Sequence, residues 1–177
     1  MYFFVMGNIG TIDKGIQAGH CSLEYANLFG NTELYKEWFE NFKTFILLSG
    51  GTSNNGTIVI WNTLHRGLEQ ENFVEKVYIN ETLLGSMELY EKYLIENNIP
   101  YASFHEPDLN NSLSALCFIC DEKVFDWKNY PNFQNWYSTN AGSMETPLED
   151  DYQKWVEFVG GPTNAKLKEL IDGKRLA

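Results

Sequence analysis

The sequence predicts an α/β protein of three layers, α/β/α, in which helices cover a mixed sheet of about four to five strands. Three observations carry this prediction. Short apolar runs, such as 44–49 and 114–120, alternate along the chain with stretches of helical periodicity. These runs are almost continuously apolar, which is typical of strands covered on both faces. The length of 177 residues suits one domain with a sizeable core.

The first half of the chain opens with an apolar strand, and a turn that carries Gly10 follows it. Thr11 or Asp13 is suited to cap the next helix, because short polar side chains accept hydrogen bonds from the first free amides. The predicted elements are a strand at 1–7, helices at 14–29 and 32–42, a strand at 44–49, and short strands at 57–61 and 74–79 that could form a hairpin.

The second half continues the alternation. An apolar stripe at Leu83, Met87, Tyr90 and Leu94 indicates a helix. The predicted elements are helices at 81–98, 148–159 and 163–172 and strands at 100–104 and 114–120. Residues 1–121 are expected to form one α/β domain with an insertion at about 52–79. Residues 122–177 are expected to be an appended aromatic loop, followed by C-terminal helices packed on the same domain.

Composition excludes several classes of function. The net charge of −11 disfavours a general nucleic-acid binder, because nonspecific affinity comes mostly from neutralising phosphates. No apolar stretch approaches the roughly 20 residues of a membrane helix, and the chain start lacks the basic flank of a signal peptide. Cys21, Cys117 and Cys120 are expected to be core thiols. We therefore expect a cytoplasmic protein with no membrane partner, no metal and no cofactor.

The first candidate site is the helix start at 11–21. A helix N-terminus has free amide donors and positive potential, which suit an anion or a developing oxyanion. Lys14 adds a cation, the small Gly19 allows close approach, and His20 could serve as a general base or a ligand donor. His20 also has a plainer interpretation as a surface or packed histidine of the helix, and Lys14 as a solvated side chain.

The second candidate site is the acidic bend, defined as residues 105–112, "HEPDLNNS". Glu106 and Asp108 are two positions apart, so in an extended stretch they would point the same way. Close carboxylates raise one pKa and can provide acid and base groups. The alternative is a polar turn in which Asp108 caps its own backbone. We expect the helix start and the acidic bend to share one cleft.

The order of elements and the segment "KGIQAGHCS" at 14–22 resemble the archaeal and eukaryotic-type (type II) peptidyl-tRNA hydrolases, whose helix starts with K-G-K-x-A-x-Q-C-S-H. The resemblance covers about 1–121, and similar sequences with the "EPDLNN" form of the turn often come from phage genomes. Lys14, Gly15, Ala18, Cys21 and Ser22 match the motif. The second lysine falls on Ile16, the glutamine on His20 and the histidine on Leu23. The turn's catalytic aspartate falls at or beside Glu106, with Asp108 as the alternative, and its arginine is missing.

The resemblance implies a hydrolase that acts on a tRNA-linked aminoacyl or related ester. Glu106 or Asp108 would activate water, Lys14 would steady the anion, and His20 would orient substrate or shuttle a proton. The expected substrate-binding residues are Lys14, Gly19, Asn110, Asn111 and Ser114.

Two other functions remain open. One is a non-catalytic protein that binds a small nucleotide, for instance an immune signal in a host cytoplasm if the chain is viral, with a base stacked on Trp136. The other is a protein-interaction role for the aromatic segment 121–146. A homodimer is compatible with all three.

Overall fold

The computed structural model describes residues 1–54, 58–62, 77–81, 84–124 and 149–177. Its helices are α1 (Thr11–Phe29), α2 (Glu33–Glu37), α3 (Ser86–Glu96), α4 (Glu149–Phe158) and α5 (Pro162–Ile171), and its strands are β1 (Tyr2–Met6), β2 (Ile46–Gly51), β3 (Ile58–Asn62), β4 (Val77–Glu81), β5 (Ala102–Glu106) and β6 (Ser112–Phe118). A π-helical turn, Trp38–Phe42, follows α2 directly.

Four strands form one mixed sheet in the order β2-β1-β6-β5. β1 runs parallel to β2 and antiparallel to β6, and β6 runs antiparallel to β5. The prediction of an α/β fold built on a mixed sheet packed against helices is confirmed. The strands β3 and β4 pair with each other in a separate antiparallel sheet, so the expected hairpin partners do meet.

The side chains of the central sheet alternate between two buried clusters, as the pleat of a strand requires. On one face Phe3, Val5 and Cys117 pack with Ala18 and Tyr25 of α1. The other face holds Phe4, Leu116 and Phe118, which pack with the side chains Met87 and Leu94 of α3 and Leu167 and Leu170 of α5. The near-continuous apolar composition of these strands follows from having helices on both sides.

Two predicted helices differ from those observed. The helix expected at 81–98 begins at Ser86, because Glu81 still belongs to β4 and Gly85 occupies the N-cap position. The helix expected at 32–42 changes to π geometry at Trp38 and ends at Lys43, whose backbone is left-handed at φ 51°. The segment 32–42 contains no glycine that would indicate this change of helix type. π turns also have no simple residue pattern.

The C-terminal region contributes to the central sheet in two ways. Leu167, Leu170 and Ile171 of α5 belong to the same buried cluster as Phe4. Beyond α5, the Ser49 amide donates to the Arg175 carbonyl at 2.9 Å and the Ala177 amide donates to the Leu47 carbonyl at 3.0 Å. These bonds cover the outer edge of β2. Most of the aromatic segment predicted at 121–146, including Trp136, lies outside the described residues.

Two irregularities in strand pairing affect side-chain direction. Phe104 pairs with Ala115 and His105 pairs with Leu113, so the pairing of β5 with β6 skips Ser114. The pairing of β1 with β2 likewise skips Gly50. A Cβ atom at Gly50 would lie 2.1 Å from the Met87 sulfur and 2.9 Å from the Val5 carbonyl oxygen, so only glycine fits there. Bulges of this kind redirect a side chain and increase local twist.

Candidate functional site

The acidic bend is built from a strand end, a 3-10 turn and two left-handed residues. β5 ends at Glu106, and Pro107–Leu109 form the 3-10 turn, which Pro107 favours through its fixed φ. Asn110 and Asn111 follow at φ 58° and 57°, a conformation that asparagine tolerates better than most residues. These residues reverse the chain so that β6 can return beside β5.

A side-chain hydrogen bond connects the acidic bend to α1. The Gln17 amide nitrogen donates to a carboxylate oxygen of Glu106 at 2.6 Å. The other carboxylate oxygen of Glu106 accepts from the Asp108 backbone amide at 3.4 Å. Both oxygens of Glu106 therefore have donors, which fixes the orientation of a carboxylate that remains partly exposed to solvent.

Ser114 supports Gln17 from the interior. Its hydroxyl lies 2.7 Å from the Gln17 side-chain oxygen and 3.1 Å from the Phe104 carbonyl oxygen, and the side chain is fully buried. Because the pairing skips Ser114, its side chain turns to the α1 face of the sheet rather than to the opposite one. The polar relay, defined as Ser114, Gln17 and Glu106, thus runs from the core to the molecular surface.

His20 and Lys14 flank Gln17 on α1. The His20 ring stacks on the Phe104 ring, with centroids 4.7 Å apart and planes 18° apart. His20 is exposed, while Phe104 is partly buried two residues before Glu106 on β5. Lys14 lies one helical turn before Gln17 on the same side of α1 and is partly exposed. The N-cap position of α1 is Gly10, which provides no side-chain bond to the first amides, so neither Thr11 nor Asp13 acts as the N-cap residue.

The structure brings together some of the predicted site residues and separates others. His20, Glu106 and Ser114 lie around Gln17, and Lys14 lies one turn away. Gly19 lies on the other side of α1, where a Cβ atom would meet nothing within 4 Å.

The prediction that the carboxylates of Glu106 and Asp108 point the same way from an extended stretch is wrong. Asp108 lies in the 3-10 turn rather than in an extended stretch, so it does not project alongside Glu106. Asp108 and both asparagines are exposed on the bend. The polar turn does contain a backbone cap, but Glu106 rather than Asp108 supplies it.

Sequence reasoning missed Gln17. Its position gave one signal, because it is polar yet shares a helix face with Ala18 and Cys21, which pack against the sheet. Ile16, which occupies the position of the second lysine in the type II motif, is 49% exposed.

The thiols mostly behave as expected of core cysteines. Cys21 and Cys117 are free and buried, while Cys120 is only partly buried. The Cys21 thiol donates to the Ala102 carbonyl oxygen at 3.3 Å, and the Cys117 thiol donates to the Cys21 carbonyl oxygen at 3.3 Å. These contacts anchor α1 on β5 and β6. The hydrogen bond with Cys117 and burial raise the pKa of the Cys21 thiol well above its usual range, so the thiol stays protonated.

A cavity of about 390 Å³ lies at the opposite end of the sheet. Its walls include Tyr2, Trp38, Phe42 and Cys120. Burial raises the pKa of the Tyr2 phenol to about 12 and that of the Cys120 thiol to about 12, so both groups are neutral near pH 7. The cavity therefore offers space, but these two groups offer no base at neutral pH.

Two features are absent from the described ranges. Within them, no three side chains of His, Cys, Asp or Glu are grouped so as to hold a metal ion. None of the helices described is both long and apolar enough to cross a membrane.

Comparison with known proteins gives no family. No family model matches the chain, and no curated protein or solved structure matches it. The likeness to type II peptidyl-tRNA hydrolases therefore rests on the order of elements and on the segment at 14–22.

Proposed function

We propose that the chain is a three-layer α/β hydrolase resembling type II peptidyl-tRNA hydrolases, which cleaves an aminoacyl or related ester at the junction of α1 and the acidic bend. The observation that carries this proposal is the Gln17–Glu106 hydrogen bond of 2.6 Å. It holds a solvent-accessible carboxylate beside the N-terminal half of a long helix. Those are the positions where a base and an anion-stabilising group are needed for ester hydrolysis.

In the proposed reaction Glu106 is the general base. It takes a proton from a water molecule as the water oxygen attacks the ester carbonyl carbon. The tetrahedral oxyanion is stabilised by the Lys14 ammonium and the positive end of α1. The carbonyl then re-forms, and the ribose oxygen leaves with the proton that Glu106 had accepted. The products are a free carboxylic acid and the nucleotide hydroxyl.

The neighbouring residues have positioning roles in this scheme. Gln17 and Ser114 keep the Glu106 carboxylate in one orientation, since each donor in the relay is directed at the next acceptor. The exposed His20 ring on Phe104 offers a flat surface near the carboxylate for a base or an acyl side chain. Asn110 and Asn111 on the bend provide amide groups for substrate.

The test is hydrolysis of an N-acetylated aminoacyl-tRNA by the full chain, measured as release of the labelled amino acid. We expect Glu106→Gln to lower the rate at least about 100-fold, because general-base catalysis contributes 10²- to 10⁴-fold. The variant amide can still accept from Gln17, so the fold should survive. Asp108→Asn is the matched control on the same bend and should retain the rate within about threefold. Equal rates for Glu106→Gln and the wild type would refute the assignment.

A non-catalytic nucleotide-binding function is the second candidate, and the position of Ile16 favours it. The second lysine of the hydrolase motif is absent, because Ile16 occupies its position. In this case the wild type would cleave no ester but would bind a nucleotide, with adenosine monophosphate as the first probe in calorimetry. Binding that is lost in His20→Ala and retained in Asp108→Asn would place the ligand at the same junction.

A further inference from the structure

The end of the central sheet opposite the polar relay has two adjoining cavities, one of about 390 Å³ and one of about 200 Å³. Leu34, Ile119 and Asp121 lie in the walls of both, so the two cavities meet along these residues. Small-molecule sites in proteins typically have volumes of about 300–1,000 Å³. The pocket, defined as the two cavities together, therefore has room for a small organic molecule.

An aromatic wall lines the larger cavity. The Trp38 ring is buried and stacks on Phe45 with centroids 5.8 Å apart, and its N–H donates to the Thr44 carbonyl oxygen at 3.3 Å. These two contacts fix the indole ring in place. Phe42, in the same wall, is 52% exposed. An apolar ligand group beside Trp38 and Phe42 would remove this surface from water, which favours binding.

The charged side chains in the walls of the pocket are mostly acidic. Glu37, Asp121 and Glu122 carry carboxylates. Among the described residues of the walls, Lys123 is the one with a basic side chain. The net charge of −11 over the whole chain has the same sign as this excess. The local and the overall charge therefore both attract a cation.

Two positive groups lie near these carboxylates, and neither offsets them. Lys123 is exposed, and its stem extends toward Gly160, where a Cβ atom would lie 3.4 Å from the Lys123 Cδ. The Met1 amino group donates to the Thr44 carbonyl oxygen at 2.9 Å. Burial lowers the pKa of this amino group to about 6, so most of it is neutral near pH 7.

Asp121 is the carboxylate best placed to hold a cation. It is partly buried where the two cavities meet, whereas Glu37 and Glu122 are exposed. One oxygen of its carboxylate accepts from the Lys123 backbone amide at 2.9 Å, which fixes the orientation of the group. Hydrogen bonds from an ammonium group to a carboxylate are roughly twice as strong as those between neutral groups.

We propose that the pocket binds a small organic amine, whose ammonium group donates to the Asp121 carboxylate and whose apolar part lies beside Trp38 and Phe42. The aromatic wall adds to the attraction, because the faces of indole and phenyl rings favour a nearby cation. This site is at the other end of the sheet from the junction of α1 and the acidic bend. It therefore stands or fails independently of the proposed hydrolysis.

Two indole compounds that differ at one group test the role of charge. Tryptamine carries an ammonium group at pH 7, and tryptophol has a neutral hydroxyl in its place. Calorimetry at physiological salt measures the affinity of the full chain for each. We expect tryptamine to bind with a dissociation constant below about 1 mM and tryptophol to bind at least about 10-fold more weakly.

Two aspartates give variants matched in net charge. Asp121→Asn keeps an oxygen for the Lys123 amide but removes the charge, so we expect it to weaken tryptamine binding at least about 10-fold and to leave tryptophol binding unchanged. Asp108→Asn removes the same charge from the acidic bend and should change both affinities less than about twofold. Thermal unfolding of both variants checks that the fold is intact.

NMR locates the bound amine. The indole N–H signal of Trp38, recognised because Trp38→Phe lacks it, should shift on addition of tryptamine. The proposal is overturned if tryptamine does not bind at up to about 10 mM, or if tryptophol binds as tightly. Equal tryptamine affinities for Asp121→Asn and Asp108→Asn, or a Trp38 signal that tryptamine leaves unchanged, would also overturn it.

Discussion

The two ends of the central sheet differ in what they offer a ligand. At the end where β1 and β2 finish, the polar relay fixes the direction of the Glu106 carboxylate by hydrogen bonds of 2.6 and 2.7 Å. The opposite end has a cavity of about 390 Å³, with Trp38 and Cys120 in its walls. The second end has more space for a ligand. The first end has a buried amide and a buried hydroxyl, both of which need hydrogen-bond partners.

The titratable groups strengthen the contrast. Near the cavity, burial raises the pKa values of Tyr2 and Cys120 to about 12, which keeps both neutral near pH 7. The relay end instead has a carboxylate with two donors and a path to water. The two ends therefore differ in how the groups named are held: hydrogen bonds hold a carboxylate at the relay end, and burial keeps Tyr2 and Cys120 neutral at the cavity end. Substitutions at each end should have different consequences.

The largest effect on stability is expected at Gln17. Gln17→Leu removes the amide between Ser114 and Glu106, and we expect it to lower the free energy of unfolding by about 1–2 kcal/mol. The Phe104 carbonyl remains as an acceptor for Ser114, which limits the loss. Urea unfolding measures it, and Glu37→Gln at the exposed rim of the cavity is the control, expected within about 0.5 kcal/mol of wild type.

A double variant separates the relay from simple packing. If the three side chains act as a unit, Gln17→Leu combined with Ser114→Ala should cost less than the sum of the single changes, by at least about 0.5 kcal/mol. Strict additivity would show that the two residues contribute independently. In that case Gln17 and Ser114 would not form a cooperative network at the relay end.

The next effect is alkaline destabilisation at the cavity end. Tyr25 lines a smaller cavity of about 200 Å³ there, and burial raises its pKa to about 12, above the ordinary value of 10.0. The folded chain therefore holds the phenolic proton more tightly than the unfolded chain. This contribution is fully present below about pH 10 and is lost as the pH rises from 10 toward 12.

Unfolding free energies measured from pH 8 to 11 test this contribution. We expect the wild type to lose stability above pH 10 with a component of roughly 1 kcal/mol per pH unit from Tyr25. Tyr25→Phe has no phenol to titrate and should decline less steeply. Parallel curves for the two proteins would show that Tyr25 is not the group responsible.

The smallest effect is expected on the acidic bend. Asn110 has a left-handed backbone at φ 58°, so Asn110→Ala should cost about 1 kcal/mol, while Asn110→Gly should stay within about 0.5 kcal/mol of wild type. Thermal unfolding measures both. An alanine variant as stable as the glycine variant would mean that the bend relaxes to another conformation. In that case its effect on Glu106 should appear in the hydrolysis rate.

Several parts of this architecture could be read from the sequence. The apolar run at 114–120 corresponds closely to β6, and the helical pattern at 14–29 corresponds closely to α1. Burial of both faces of a strand, or of one side of a helix, leaves a clear pattern of apolar residues in the sequence. The meeting of α1 with the acidic bend was also predicted. The role of Gln17 was not, since a single polar residue on an apolar helix face does not reveal its partner. The direction of Ser114 depends on a bulge that leaves no sequence signal.

The sequence by itself determined the local elements of this protein: where the chain is helical, which runs are strands, and where Pro107 and the asparagines turn it. Only the tertiary structure decided which polar groups meet. Gln17 is 89 positions from Glu106 and 97 positions from Ser114, and all three depend on the register of β5 and β6. A shift of one residue in that register moves a side chain to the opposite face of the sheet. Local periodicity carries no information about such a shift, so the relay exists only in the folded chain.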